Sequence, residues 1–218
     1  MPKRLEKGKL KSLGRRSQNN LGDNMDGKLK IHITAVALVL FILAAGNALG
    51  GSDVQKSVLY VSGFGFLAVL SLLFVFAIPL LFRFWRNALT VYLRSNIRWI
   101  GIYVFAFALI HIALVFHLFF GWDISYMLGG PGSVFLILGS LAFLILAAMA
   151  ATSTDWAMRA LGRHWKALHN LGFVALILVI VHSFNIGLVF MSQMAVAAAI
   201  ILLGAFFVVQ KIRHTKLI

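Results

Sequence analysis

Six long apolar runs alternate with short polar segments along the chain. Each is close to the roughly 20 residues that a helix needs to cross a bilayer. The runs cover residues 31–50, 58–82, 99–120, 134–151, about 167–187 and about 190–210. Only Gly187 separates the last two runs, so the boundary between them is the weakest. The pattern predicts an all-α membrane protein built as a bundle of six transmembrane helices.

The composition agrees with this pattern and excludes several classes of protein. Of the 218 residues, 61% are hydrophobic and only 12% are charged, whereas soluble domains are about 45–50% apolar and about 25% charged. A basic nucleic-acid-binding domain carries its charge on a polar surface, so a nucleic acid partner is excluded. The chain has no cysteine, which removes disulfides, iron–sulfur clusters, thiolate zinc sites and cysteine catalysis.

The positive charge predicts the topology. The formal net charge is +14, and 19 of the 20 Lys and Arg residues lie before the first run, between runs two and three, between runs four and five, or after the sixth. With six spans all of these segments lie on one side, and only Lys56 lies on the other. The positive-inside rule then places both termini in the cytoplasm, as expected for a bacterial inner-membrane protein.

The same pattern divides the chain into three parts. Residues 1–30 hold nine Lys or Arg residues and are predicted to form a flexible cytoplasmic tail. This tail either touches anionic lipid headgroups or is an inert solubilising segment. Residues 31–210 form the membrane domain, and residues 211–218 form a short basic cytoplasmic C-terminus.

Histidine is the candidate metal ligand within the predicted spans. Their cores hold no Asp, Glu, Lys or Arg, groups that ion-coupled transporters usually place near the midplane. The third run contains His111 and His117, and the fifth contains His169 and His182. Neutral imidazole is the common axial ligand of haem iron, and a b-type haem needs no cysteine. We expect His117 to face the outer interface.

The depths of the histidines suggest how they pair. The third and fifth spans run in the same direction, so His111 and His182 differ in depth by only about 5 Å and can hold one haem. His169 lies about 20 Å nearer the cytoplasm, where a second haem would fit. Its counterpart on the third span is Arg98, a poor ligand but a partner for haem propionates. The lower site has one histidine, is completed by a group such as His164, or holds no haem.

The spacing of the two histidines in the fifth run poses a geometric problem. Thirteen residues rotate a straight helix by about 220° beyond whole turns, so His169 and His182 do not share a face. A bend at Gly172 or a π-bulge would change this relation. Otherwise, the two haems are held at different angles.

Several short motifs around these histidines carry a family resemblance. They are Ala-Thr-Ser-Thr at 151–154, Leu-Gly-Arg-His-Trp at 161–165, Leu-His-Asn-Leu at 168–171, and His182 thirteen residues after His169. With the segment 101–111 of the third run, they resemble the ferric-reductase-like transmembrane domain. The resemblance is good over residues 95–187 and extends to the six-span layout. Within that family it resembles the haem-binding membrane subunits of bacterial methionine sulfoxide reductase systems.

The resemblance implies a set of cofactors and ligands. It implies one or two b-type haems held by His111, His169 and His182, with Arg98 standing about where NADPH oxidases have a fourth histidine. FMN is a further possible cofactor. Asn170 replaces a common basic residue and Phe173 replaces a common tyrosine, and these departures bear on the exact ligand partner and any flavin contact.

The resemblance also implies an electron-transfer function. No dinucleotide fingerprint occurs in the chain, so electrons come from a separate donor: a cytoplasmic flavin reductase, bound FMN, or a membrane quinol. The acceptor is a periplasmic molybdopterin reductase that repairs oxidised methionine, or another periplasmic acceptor, and the cytoplasmic arginines help to dock an anionic donor. One alternative is a stand-alone cytochrome b that reduces ferric chelates or oxygen. An alternative of another class is a small transporter or assembly factor without haem.

Overall fold

The chain is helical throughout the part that the structure describes. The structure, a computed structural model, describes residues 3–130 and 132–186, with side chains from residue 26 onward, and five isolated positions beyond residue 186. In the described part the elements are α1 (Lys3–Leu49), α2 (Asp53–Phe84), α3 (Ala88–Ser95), α4 (Ile97–Val115), a π-helix (Phe116–Phe120), α5 (Ser125–Gly129), α6 (Ser133–Ala151), α7 (Asp155–Leu161), α8 (Arg163–Asn170) and α9 (Gly172–Ile186).

Five helical segments of the described part are long and apolar enough to cross a membrane. They are Asp26–Leu49, Asp53–Phe84, Ile97–Phe120, Ser133–Ala151 and Arg163–Ile186. These segments correspond to the first five predicted spans, so the all-α membrane fold is confirmed. The predicted sixth span at 190–210 and the basic C-terminus at 211–218 lie outside the described residues, apart from isolated positions.

Two helix pairs form the centre of the bundle. Helix α2 packs along α4, and α6 packs along α9, while α4 also meets α6 and α2 meets α9. Helix α1 lies outside this group, against α2 and α4. The central contact is made by the buried side chains of Val69, Leu72, Leu73, Val104, Ala142, Leu146, Ala175 and Leu176.

Small residues allow α1 and α2 to approach each other closely. A Cβ atom at Gly63 would lie 2.9 Å from Ile42 Cγ2, and one at Gly46 would collide with the Tyr60 ring. Membrane helices lack a hydrophobic driving force for association, so close van der Waals packing at small residues stabilises their contacts. These contacts hold α1 against α2.

The N-terminal basic segment has a helical backbone. Helix α1 begins at Lys3 and continues into the first span, while the flexible cytoplasmic tail over residues 1–30 stays a prediction. The segment is rich in Leu, Lys and Arg, which are good helix formers, and it continues directly into the apolar part of α1. At its end, the Tyr92 hydroxyl on α3 donates a hydrogen bond of 2.8 Å to the Gly27 carbonyl.

Short helices form the connections at one end of the bundle, which we call the basic end. It contains residues 83–98 and 152–166, and seven of these residues are Lys or Arg. Helix α3 starts with a reciprocal capping box between Asn87 and Thr90, and the Thr154 side chain caps α7. Gly162 joins α7 to α8 with a φ of +51°, a conformation that glycine adopts without strain.

Candidate functional site

His111 on α4 and His182 on α9 face each other at the centre of the bundle. Their ring centroids are 6.4 Å apart, and their ring planes are inclined by 81°. The two residues come from the third and fifth predicted spans, and the sequence placed them at similar depths. The structure therefore brings together the two histidines that were predicted to form one site.

An apolar cavity of about 500 Å³ surrounds the two imidazole rings. It lies between α2, α4, α6 and α9, and Val58, Phe120 and Ile186 line it close to the ends of their helices. These three positions belong to the end of the bundle opposite the basic end. The cavity volume falls within the roughly 300–1,000 Å³ typical of small-molecule and cofactor sites.

The His111 ring rests on helix α2. Its Nδ1–H donates a hydrogen bond of 2.8 Å to the backbone carbonyl of Val61. One turn further along α2, a Cβ atom at Gly65 would lie only 2.9 Å from the His111 ring atoms Cε1 and Nδ1. The absence of a side chain at Gly65 therefore makes the space that the ring occupies.

The His182 ring rests on helix α6 in the same way. Its Nδ1–H donates a hydrogen bond of 2.8 Å to the backbone carbonyl of Phe135. A Cβ atom at Gly139 would lie 2.7 Å from His182 Nδ1. Because Nδ1 carries the proton in both histidines, Nε2 is the nitrogen with a free lone pair for a metal ion.

The spacing of the two imidazoles would allow both to bind one metal ion. Two metal–nitrogen bonds of about 2 Å, with about 1 Å from each ring nitrogen to its ring centre, separate the centroids by about 6 Å. The observed separation is 6.4 Å. Their Nδ1 bonds to backbone carbonyls match the contacts that orient metal-binding histidines. The donor set and the apolar cavity thus fit a haem.

His169 lies apart from this pair, on α8 near the basic end. Its ring stacks on the Trp165 indole at 3.9 Å between centroids, and its Nδ1–H donates a hydrogen bond of 3.0 Å to the Trp165 carbonyl. The indole Nε1–H is itself bonded to the Thr152 carbonyl. Nε2 therefore keeps a free lone pair here too, but His169 does not line the cavity around His111 and His182.

The other residues considered for the lower site have separate surroundings. The Arg98 guanidinium forms an ion pair of 2.5 Å with Asp155 at the start of α7, and His164 is exposed. The structure thus gives Arg98 a carboxylate partner within the chain, and its predicted contact with haem propionates stays a prediction. At the other end, His117 is exposed on the π-helix, consistent with an interfacial position.

A break in the helix between His169 and His182, one of the possibilities that the sequence left open, occurs at Leu171. Helix α8 ends at Asn170 and α9 begins at Gly172, and the Leu171 N–H bonds to the Leu168 carbonyl at 3.0 Å. This three-residue spacing is a tight 3₁₀-type turn and not a π-bulge. Gly172 is buried, and a Cβ atom there would lie 3.1 Å from Phe76 and Met149.

The ion pair between Arg98 and Asp155 predicts a small acid-sensitive stabilisation. The hydrogen bond from Arg98 lowers the pKa of the Asp155 carboxyl below its usual value. The resulting stabilisation is complete above the unfolded-state pKa of about 4 and is lost as the pH falls through the lower folded-state pKa. We expect the stability of Asp155→Asn to fall slightly less than that of wild type as the pH is lowered. The effect is small because the ion pair is exposed. Thermal unfolding in detergent from pH 3 to 7 measures it, and an unchanged pH profile contradicts it.

Sequence reasoning missed the groups that hold the two central histidines. The signal available was an isolated glycine within a long apolar run, which often marks close approach of another group; Gly65 and Gly139 are of this kind. A second missed contact joins α1 to α4, where His32 Nδ1 lies 2.6 Å from the Tyr103 hydroxyl. His32 lies at the start of the first predicted span, and no sequence pattern indicated its partner.

Comparisons with known proteins agree with the geometry. Residues 62–180 match the family described as "Ferric reductase like transmembrane component". A Cronobacter sakazakii protein named "Protein-methionine-sulfoxide reductase heme-binding subunit MsrQ" is 32% identical over 158 residues, which are 71% of this chain and 76% of that protein. The Klebsiella pneumoniae protein of the same name is 29% identical over 158 residues, which are 71% and 77% of the two chains. No solved structure matches the chain.

Proposed function

The chain belongs to the ferric reductase like transmembrane component family, and from this premise we propose that it is a haem-binding membrane subunit for electron transfer. The observation that carries the proposal is the facing pair of His111 and His182 within an apolar cavity of four membrane helices. The names of its relatives, which are heme-binding subunits of a methionine sulfoxide reductase system, point the same way.

The chain's own residues would supply the position and surroundings of the cofactor. His111 and His182 would hold a b-type haem through Nε2, with both Nδ1 protons donated to backbone carbonyls. The apolar lining excludes water and sets a low dielectric constant around the site, two of the means by which a protein tunes a haem. The haem itself supplies one-electron chemistry when bound.

The position of the cavity supports a direction for the electrons. The cavity reaches the ends of its helices opposite the basic end, and the positive-inside rule assigns the basic end to the cytoplasm. We propose that electrons are received at the basic end from a flavin reductase, FMN or a quinol, and leave near the His111–His182 pair. The exposed arginines of the basic end would attract an anionic donor.

His169 is proposed as a ligand near the point where electrons are received. Its Nδ1 bond to Trp165 leaves Nε2 for a metal, and it precedes His182 by about 20 Å along the helical axis. It would supply one protein ligand to a second haem at the basic end. Two sites at different depths divide the width of the membrane into shorter electron-transfer distances.

The proposed acceptor is a periplasmic molybdopterin reductase that acts on oxidised methionine. Reduction of one methionine sulfoxide takes two electrons and two protons and yields methionine and water. The donor supplies both electrons, and the membrane subunit would pass them one at a time to the reductase. The sulfur chemistry therefore takes place on the partner, and this chain contributes no catalytic residue to it.

The proposal is tested with the purified chain in sealed liposomes of known orientation. We expect a reducible b-type spectrum that is reduced by a flavin reductase with NADPH and FMN added on the basic side, or by a quinol. We then expect reoxidation by the periplasmic reductase with methionine sulfoxide on the other side. Reduction by the soluble donor should slow with added salt. A chain that binds no haem contradicts the proposal, and reoxidation by ferric chelates or oxygen alone identifies a stand-alone reductase.

A further inference from the structure

The two central histidines are held by the same arrangement, which occurs twice in the bundle. In each case a neighbouring helix offers a backbone carbonyl and, four residues later, a glycine against the imidazole ring. The two pairs are Val61 with Gly65 for His111, and Phe135 with Gly139 for His182. We call each carbonyl and glycine pair a histidine seat. The seats lie on α2 and α6, the helices that pack along α4 and α9.

In each seat, the carbonyl oxygen can accept two hydrogen bonds at once. Within an α-helix the N–H of the glycine bonds to the carbonyl four residues earlier, and that oxygen has a second lone pair for the imidazole Nδ1–H. The missing Cβ lets the ring lie directly against the helix, so that Nδ1 reaches the carbonyl at 2.8 Å in both seats. One seat thus fixes both the direction of Nε2 and the rotation of the ring plane.

We infer that Gly65 and Gly139 are positioning residues that hold the two imidazole planes nearly perpendicular and keep both Nε2 atoms directed between the rings. The inference rests on the proposed haem site and extends it. With both rings held, His111 and His182 would both remain bound to the iron of a haem, which would leave no position for oxygen or another small ligand. The site would then exchange electrons without binding its acceptor.

Alanine at either glycine displaces the ring. Its Cβ would lie 2.9 Å from the His111 ring at position 65 and 2.7 Å from His182 Nδ1 at position 139. An imidazole is rigid, so it gives way only by tilting, which lengthens its bond to the carbonyl or to the metal. Loss of such an orienting contact typically weakens metal binding about 10–100-fold. Loss of the hydrogen bond to the carbonyl also lowers the basicity of the imidazole. A less basic ligand destabilises ferric iron and raises the reduction potential.

The chain offers two matched controls for these substitutions. Gly63 lies on the same helix as Gly65, and a Cβ there would be equally close to another helix, at 2.9 Å from Ile42. Gly63→Ala therefore disturbs helix packing without touching a histidine. Gly101 on α4 has no atom within 4 Å of its Cβ position, so Gly101→Ala tests only the change in helix propensity.

The experiment compares purified wild type with Gly65→Ala, Gly139→Ala, Gly63→Ala and Gly101→Ala. Wild type and both controls should give a strongly anisotropic low-spin ferric EPR signal, characteristic of near-perpendicular axial imidazoles, and should not bind carbon monoxide when reduced. Gly65→Ala and Gly139→Ala should show a changed g tensor or high-spin iron, carbon monoxide binding, a higher midpoint potential and about 10-fold or greater haem loss.

The outcomes distinguish this inference from the proposed function. A wild type without any haem spectrum defeats the proposed function itself. If wild type binds haem but gives the EPR signal of parallel imidazoles, the inferred perpendicular arrangement is wrong. This measurement does not depend on the folding of any variant. If Gly63→Ala changes the spectrum as much as Gly65→Ala, or if both seat variants match wild type, the glycines have only a packing role.

Discussion

Alanine in place of His111 or His182 is expected to abolish the b-type spectrum of the site between them. Each histidine would provide one of two ligands to the iron, and apart from Met127 no other side chain in the described cavity lining is of a type that commonly binds haem iron. In each variant, the remaining histidine would also lose the metal that binds the lone pair of its buried Nε2. We therefore expect near-complete loss of the low-spin Soret band of this site in either variant and in the double variant, measured by absorbance per mole of purified protein.

His117→Ala is the matched control for this loss. His117 follows His111 by six residues but is exposed on the π-helix, so its removal should leave the spectrum unchanged. Monodisperse elution in detergent shows whether each variant is folded. A low-spin band that persists unchanged in the folded double variant contradicts the assignment of His111 and His182 as ligands.

Alanine in place of His169 is expected to halve the haem content while sparing the central site. His169 is outside the cavity of His111 and His182 and is held by Trp165 on its own helix, so the two ligand sets are structurally independent. A pyridine haemochrome assay should give two haems per chain for wild type and one for His169→Ala. The anisotropic EPR signal of the central pair should remain in the variant.

Neighbouring residues provide the comparison for His169. His164 is exposed on the same short helix. His164→Ala tests whether this histidine is a second haem ligand or only a solvated side chain. If the variant has the same haem content as wild type, His164 is a solvated side chain. Arg98→Gln tests the predicted contact with haem propionates, which competes with its ion pair to Asp155. One haem per chain in both wild type and His169→Ala contradicts a second haem on His169.

The fold was predictable from local patterns because a bilayer imposes a simple rule on the backbone. Each span must be a long apolar helix, so hydropathy located the first five spans to within five residues of the helices observed. The basic N-terminal segment was harder to predict. Its helix, from Lys3 onward, depends on the weak helix propensities of individual residues, and the pattern of apolar residues gives no information about these.

The connections followed local chemistry only in part. Gly172 was expected to allow a bend, and the interruption does fall next to it, at Leu171. The close contacts of Gly172 with Phe76 and Met149 join α9 to two other helices, so the position of the turn is a property of the packed bundle. Likewise, Arg98 was considered only as a partner for propionates, because its contact with Asp155 spans 57 residues.

The sequence by itself determined the spans, the separation of charge and the choice of histidine as the group within the spans that could hold a haem. It also placed His111 and His182 at similar depth, because the rise of a helix converts residue number into distance. Only the tertiary structure decided how the two rings are held. Their angle depends on the carbonyls of Val61 and Phe135 and on the space left at Gly65 and Gly139. These groups are about 50 residues away along the chain and come into contact only when the helices pack.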